Sequence, residues 1–226
     1  SAASDVYKRQ SLPRVTRLTP SEPAVGVMIV CSGASEKQLT DMLNTLDKYG
    51  VKGTFYVTGD FVRRNPERIQ RIIDAGHELG SHGNNLINMT EVSYARVQEN
   101  IRELNDLCEE TFGVRPRLFC AHLGATNSIV TAIARAEGVE DCLFAIDACD
   151  WSDAYKDKVY QMVYRVTSDR VTSGCVVQFH INGYHTAEVL DKALDNWINV
   201  KGLRPVTVGE LMQLSGRDFP PLPDYD

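Results

Sequence analysis

The sequence predicts an α/β fold, an irregular (β/α) barrel of seven parallel strands. Short apolar runs alternate with amphipathic helical patterns along most of the chain, and this alternation is typical of a parallel sheet. Polar residues end five of the predicted strands. This pattern favours a barrel, in which the carboxyl ends of all the strands open on one face and can carry site residues. A doubly wound sheet instead concentrates its site at one switch point.

Each predicted strand is a short apolar run bounded by turn residues. The seven strands are expected at 24–30, 53–58, 77–81, 117–119, 142–146, 175–179 and 204–208.

The helices are predicted from apolar periodicity and from their end signals. The first, 36–49, begins after Ser35, which forms a capping-box pattern with Gln38, and ends at Gly50. The second begins near Asn65-Pro66 and ends at Gly76. The remaining helices are expected at 90–112, 127–137, 154–167 and 186–200.

Length and composition favour one domain and exclude some functions. The chain has 226 residues, of which 43% are hydrophobic and 24% charged, enough for one sizeable core. A net charge of -6 argues against a general nucleic-acid binder. No apolar run approaches the roughly 18 residues that predict a membrane span, and no signal-peptide pattern is present. We expect a leader or non-native segment at 1–21, a domain at 22–214 and an irregular tail at 215–226.

Six cysteines are scattered without the spacing of a disulfide framework or of a structural zinc site. Three of them, Cys108, Cys142 and Cys175, are interpreted as buried free thiols. The polar clusters at strand ends are the candidate functional residues, and they comprise Cys31-Ser32, His82, Cys120, Asp147 with Asp150-Trp151, and His180.

Five segments carry a family resemblance in order and spacing: VGVMIVCSG, AGHELGSHGNN, FGVRPRLFCAHLGATN, FAIDACDWSD and SGCVVQFHING. Together with LDKYGVKGTFYVTGDFV, they resemble the NodB-type polysaccharide deacetylases of carbohydrate esterase family four, over about residues 24–214. The resemblance implies a deacetylase-like barrel, a divalent metal, and an N-acetylated cell-wall or chitin-type glycan as substrate and partner.

The resemblance also shows which family residues are replaced. In the first motif, Cys31 stands at the position of the catalytic base and Ser32 at that of a metal-binding Asp. In the second motif His82 keeps one metal-ligand position, and Leu86 replaces the other histidine. In the third motif Cys120 replaces the Arg that orients the base, and of that motif only Gly124 is retained.

The last two motifs are better preserved. Asp147, Asp150 and Trp151 match the Asp-x-x-Asp-Trp pattern, and His180 stands where the family has its general acid. We therefore predict a retained acid half formed by His180, Asp150 and Asp147, although these residues also fit a structural pair and a carboxylate bonded to nearby backbone. Trp151 is expected to line the pocket or stack on a sugar, with Leu123 and Gly124 as further substrate-binding residues.

Two function classes follow. Amide hydrolysis needs a metal that acidifies water and a carboxylate that takes its proton, so the replacements favour a pseudoenzyme with no cofactor expected. The alternative is an active hydrolase with zinc held by a rewired Cys/His site drawn from Cys31, His82, Cys120, His122 and His180. A Cys31 nucleophile beside His82 is a third and weaker hypothesis.

The sequence gives two opposing indications of localisation. The family suggests the cell envelope or the extracellular space, whereas six apparently unpaired cysteines favour a reducing compartment such as the cytoplasm.

Overall fold

The computed structural model describes residues 15–224 and contains one curved sheet whose strand pairs are all parallel. The strand order is β5-β4-β3-β2-β1-β7-β6, and β8 also pairs with β1. This arrangement confirms the predicted irregular (β/α) barrel. The strands are β1 Ala24–Cys31, β2 Thr54–Val57, β3 Glu78–Ser81, β4 Leu118–Phe119, β5 Glu140–Asp141, β6 Ile146–Asp147, β7 Val176–His180 and β8 Arg204–Val206.

Helices follow most of the strands and cover the outside of the sheet. Their ends carry the expected signals: Ser35 and Gln38 form a complete capping box, and Gly113 ends the longest helix in a left-handed conformation. The helices are α1 Glu36–Lys48, α2 Gly59–Arg64, α3 Pro66–Asp74, α4 Tyr94–Phe112, α5 Ser128–Ala136, α6 Val159–Thr167, α7 Thr186–Asn199 and α8 Val208–Leu214.

The prediction was wrong in several elements. The single strand expected at 142–146 is replaced by two short strands, β5 and β6, on either side of an irregular segment. The helix expected at 154–167 begins only at Val159, after a 3₁₀ turn at Asp153–Tyr155. The helices α2 and α8 were not predicted, because six and seven residues are too few to show a helical period.

The strands divide the core into an outer layer and an interior layer. Along β1, Val27, Ile29 and Cys31 contact the outer cluster beneath the helices, whereas Met28 and Val30 belong to the barrel interior. Successive side chains on a strand point to opposite faces, so this alternation is the expected one. The predicted strand ended at Val30, but β1 continues through Cys31 and turns that side chain toward the helices.

The packed structure includes residues before position 22. Val15 is fully buried and forms a bridge with Cys142, and Leu18 is also buried, so both side chains pack against the rest of the fold. Residues 217–224 contain neither helix nor strand. The rest of the predicted leader, 1–14, and the last two tail residues, 225–226, lie outside the described residues. None of the helices in 15–224 has the length and apolarity of a bilayer span.

Candidate functional site

A cavity of about 430 Å³ lies at the carboxyl ends of the strands. This is the face on which parallel barrels carry their active sites. Its walls combine apolar groups with imidazole, hydroxyl, carboxamide and carboxylate groups. The lining residues are Val30, Ser32, His82, Leu86, Ala121, His122, Leu123, Gly124, Phe144, Asp147, Trp151, Gln178, His180 and Asn182.

The loop that follows β3 is fixed by Asn100, a fully buried residue of α4. The Asn100 side chain accepts from the Asn85 amide at 3.1 Å and donates to the Asn85 carbonyl at 3.0 Å. The Asn84 amide donates to the Asn100 carbonyl at 3.1 Å. These three bonds hold the segment that carries His82 and Leu86, so both side chains have defined positions on the cavity wall.

His82 is held as a neutral imidazole. It is only 6% exposed, and its Nδ1 lies 2.8 Å from the Cys120 carbonyl oxygen and 3.1 Å from the Cys120 Sγ. Burial lowers the pKa of His82 to about 4, with smaller contributions from His122 and His180 that also lower it. A proton on Nδ1 satisfies the carbonyl, which leaves Nε2 unprotonated.

The buried imidazole predicts a pH dependence of stability. The folded-state pKa of His82 is about 4 against an ordinary value of 6.5, so the unfolded chain binds more protons between these values. The free energy of unfolding should therefore fall as the pH falls from 6.5 to 4, by roughly 3 kcal/mol from this residue. Urea unfolding of the wild type and of His82→Gln at several pH values measures the difference.

His77 is the internal reference for that experiment. Burial also lowers the pKa of His77 to about 4, so it adds a slope of the same sign. His82→Gln should reduce the pH dependence and leave the contribution of His77. An unchanged slope in His82→Gln would contradict the buried neutral state of His82.

Asp150 and His180 form a buried pair at the end of β7. Asp150 is fully buried, and its Oδ1 lies 2.9 Å from Nδ1 of His180. Its Oδ2 accepts from the His180 amide at 2.9 Å and from the Thr186 hydroxyl at 2.8 Å. A Cβ at Gly183 would lie 2.9 Å from the Asp150 Cγ, so glycine is needed for this close approach. The carboxylate fixes the ring of His180, whose side chain is 19% exposed toward the cavity.

Asp147 holds Trp151 rather than His180. The Asp147 Oδ2 accepts from Nε1 of Trp151 at 2.9 Å, and its Oδ1 accepts from the Cys149 amide at 2.9 Å. Cys149 has a φ of +61°, in the left-handed region that non-glycine residues rarely adopt. The bond from the Cys149 amide stabilises that turn, and Trp151 is left 57% exposed at the cavity.

The rewired Cys/His site does not assemble. Cys31 is fully buried in the outer cluster, and Cys120 is buried in the interior cluster, so neither lines the cavity. Burial raises the pKa of both thiols, which disfavours the thiolate that metal binding or nucleophilic attack requires. Within residues 15–224, no three of Cys31, His82, Cys120, His122 and His180 bring their ligand atoms together. Neither the proposed zinc ligands nor a Cys31 nucleophile fits this geometry.

The other predicted site residues do reach the cavity. Ser32 and Leu86 line it together with His82, and His122 contributes a ring whose centroid lies 6.0 Å from that of His82. Leu123 is 77% exposed with a φ of +61°, and it adjoins Gly124 on the rim. Ser32, His82 and Leu86 do not together fit a divalent metal, because they offer a hydroxyl, one imidazole and a hydrocarbon.

A different group, Asp147, Asp150 and His180, does place its ligand atoms within 4.8 Å of one another. Their atoms are already engaged, however. Both oxygens of Asp150 bond to His180 or Thr186, and both oxygens of Asp147 bond to Trp151 or Cys149. All four carboxylate oxygens therefore already have hydrogen-bond partners in the protein.

Some residues that shape the site were not predicted. Gln178 lies two residues before His180 on β7 and therefore on the same face, so the two-residue period of a strand could have identified it. Thr186 caps the buried carboxylate from the start of α7, and Asn100 fixes the His82 loop from α4. Phe144 lies in the irregular segment between β5 and β6, where no sequence period applies.

Comparison with known proteins agrees with this fold. A sequence model described as polysaccharide deacetylase matches residues 31–141. The uncharacterised protein YlxY of Bacillus subtilis is 32% identical over 193 residues, which are 85% of this chain and 58% of that protein. The peptidoglycan-N-acetylmuramic acid deacetylase PdaC of Bacillus subtilis is 24% identical over 90% of this chain and 42% of its own length. The chain thus spans about half the length of these two relatives.

Among solved structures, a carbohydrate esterase family 4 pseudoenzyme from Bacillus anthracis superposes with a TM-score of 0.81 and 23% identity. The match covers 89% of this chain and 69% of that one. A mutant of the same pseudoenzyme, described as having restored enzymatic activity, gives a TM-score of 0.79. These likenesses support the barrel, and the family model adds the sequence evidence: residues 31–141 carry the sequence pattern of the polysaccharide deacetylase family, the NodB homology domain.

Proposed function

We propose that this domain is a catalytically impaired polysaccharide deacetylase that binds an N-acetylated cell-wall glycan without hydrolysing it. The observation that carries the proposal is the composition of one cavity wall. Ser32, His82 and Leu86 stand at the three metal-ligand positions of the family resemblance and share the cavity, yet they offer one metal-binding group. Cys31, at the position of the base, faces the helices instead.

The chemistry of the reaction explains why these residues do not support turnover. Amide hydrolysis needs an activated water and a group that takes its proton, and deacetylases of this family generally use a divalent metal for the first task. The wild-type cavity has no carboxylate at position 31 or 32. His180, oriented by Asp150, stands at the position of the general acid. An acid alone does not supply the activated water that a hydrolytic step requires.

The same cavity retains features that suit a sugar. The indole of Trp151 is exposed at the cavity and is held by Asp147, so its face is presented in a fixed orientation. Aromatic faces bury a large apolar area, which favours packing on a sugar ring. Leu123 and Gly124 form the neighbouring rim, and Nε2 of His180 provides a polar contact. In this proposal the acid half positions a ligand instead of cleaving it.

The relatives support a cell-envelope role. PdaC acts on peptidoglycan by its description, and the Bacillus anthracis relative is described as a pseudoenzyme of the same family. We therefore propose a peptidoglycan-type or chitin-type glycan as the partner.

An acetate-release assay tests the proposal. Wild-type protein incubated with N-acetylated chitooligosaccharide or peptidoglycan, with added zinc, cobalt or manganese, should release no acetate above a protein-free control. Binding of the oligosaccharide, followed by Trp151 fluorescence against a Trp151→Ala variant, should persist without metal. Metal-dependent turnover that disappears in His82→Ala would refute the proposal.

A further inference from the structure

Two buried thiols lie side by side on neighbouring strands in the barrel interior. The register of β4 and β5 places Phe119 opposite Asp141, so the next residues, Cys120 and Cys142, form the following pair. The Cys142 amide donates to the Phe119 carbonyl at 2.8 Å, as a parallel ladder that continues through Cys142 requires. The two cysteines are therefore register partners, one residue beyond the ends of the two strands.

Both side chains are on the same face of the sheet. Cys120 is 2% exposed and Cys142 is fully buried, and both belong to the interior cluster. Neighbouring strands lie about 4.7–4.9 Å apart, which is within the roughly 4.4–6.8 Å between Cα atoms that a disulfide spans. Burial raises the pKa of Cys120, and the charge of a Cys142 thiolate would raise it further, so the two sulfurs are close enough to interact. The backbone spacing and the shared face are those that a disulfide needs.

Within residues 15–224, the register of neighbouring strands brings together this cysteine pair alone. Cys31 and Cys175 lie on or beside β1 and β7, but the register carries Cys31 to Ile181, about 20 Å along β7 from Cys175. Cys108 lies on α4, and Cys149 lies in a turn outside the sheet. The topology of the barrel thus selects one pair from the six free thiols.

The position of β5 gives an oxidant a route to these thiols. β5 is the last strand in the sheet order, and on its other side Val15 contributes an isolated bridge to Cys142. β4 and β5 have two residues each, so few backbone hydrogen bonds resist local opening of this edge. Burial raises the pKa of Cys142 as well, so its thiolate forms when the edge opens or before the chain has folded.

We propose that Cys120 and Cys142 form a reversible intrachain disulfide when the domain folds or opens in an oxidising compartment. The oxidant is a small disulfide such as oxidised glutathione. One protein thiolate breaks the S–S bond of glutathione and releases one glutathione thiolate, and the second protein thiolate then attacks the mixed disulfide and releases the other. The two cysteines lose two protons and two electrons, which the oxidant gains as it becomes two thiols. This modification site does not depend on the proposed function.

The disulfide also changes the surroundings of His82. Cys120 contacts Nδ1 of His82 through its carbonyl oxygen at 2.8 Å and through its sulfur at 3.1 Å. A thiol can donate its hydrogen to an unprotonated Nδ1, whereas a disulfide sulfur has no hydrogen to donate. Oxidation therefore leaves the carbonyl as the group of Cys120 that bonds to Nδ1, which keeps the proton on Nδ1.

Oxidative refolding of the full chain tests the pair. The reduced protein is unfolded in urea, refolded with reduced and oxidised glutathione, treated with N-ethylmaleimide and digested with trypsin, which cuts between the two cysteines at Arg135. Mass spectrometry should find a peptide cross-linked through Cys120 and Cys142 in most of the protein. The oxidised protein should unfold about 5–10 °C higher than the reduced protein, because the bond closes a loop of about 20 residues. Dithiothreitol should reverse both changes.

Cys175→Ala is the matched control, since it removes a buried cysteine outside the pair. Its refolded form should keep the cross-link, whereas Cys142→Ala should lose it. Recovery of Cys120 and Cys142 as thiols after oxidative refolding of the wild type would overturn the inference. So would a cross-linked protein that unfolds no higher than the reduced one, because the bond would then not fit the folded sheet. Both readings use the wild type and do not depend on the folding of a variant, and neither bears on acetate release.

Discussion

The double variant Ser32→Asp, Leu86→His is expected to bind zinc at least about 100-fold more tightly than the wild type. The two side chains line the same cavity as His82, so the substitutions complete an Asp-His-His set around that cavity. Loss of one outer-shell partner alone changes metal affinity by about 10- to 100-fold, and here two direct ligands are added. The Cys120 carbonyl already orients His82 and leaves its Nε2 unprotonated.

Zinc titration followed by calorimetry, with stoichiometry by elemental analysis, measures this gain. The control Ser32→Ala, Leu86→Ala changes the same positions without adding ligands. Removing His82 from the double variant should abolish the gain. Equal zinc binding with and without His82 would show that the three positions do not form one site. We expect the metal site to return without efficient hydrolysis, because position 31 still carries a thiol that faces the outer core.

Replacing Asp150 by alanine should lower the free energy of unfolding by about 3–5 kcal/mol. The carboxylate is fully buried and accepts from the His180 amide and the Thr186 hydroxyl, which would both lose their partner. The ring of His180 would also lose the oxygen that fixes it. Equilibrium unfolding in urea measures the change.

Asp153→Ala is the matched control for Asp150→Ala. Asp153 is exposed and accepts one hydrogen bond, from the Tyr184 hydroxyl at 2.5 Å. Its removal should change stability by no more than about 1 kcal/mol. A similar loss in both variants would mean that the buried network around Asp150 does not stabilise the fold as described.

Much of the fold could be predicted because its longer helices and strands show the apolar periodicity of their type. The long helices α1, α4 and α7 and the strands β1 and β7 were anticipated to within a few residues, since each carries a clear apolar pattern. The region between Glu140 and Asp147 was not predicted correctly, because its two strands have only two residues each and are too short to show a sequence period.

For the candidate site, the sequence identified several of the residues but not the hydrogen bonds between them. The sequence identified His180, Asp150 and Trp151, but it did not show that Asp147 bonds to Trp151 while Asp150 bonds to His180. The strand β1 runs one residue further than predicted, so Cys31 continues its alternation and faces the helices as Val27 and Ile29 do.

The unusual turn at Cys149 has a practical consequence for chemical labelling. All six cysteines lie within residues 15–224 and are free, and Cys149 alone among them is not buried. Burial and the nearby Asp147 raise its pKa, so a thiol-specific probe should react slowly, but it should react there first. Since Cys149 lies between the residues that hold Trp151 and His180, a fluorophore attached to its sulfur would give an optical signal of ligand entry without any engineered cysteine.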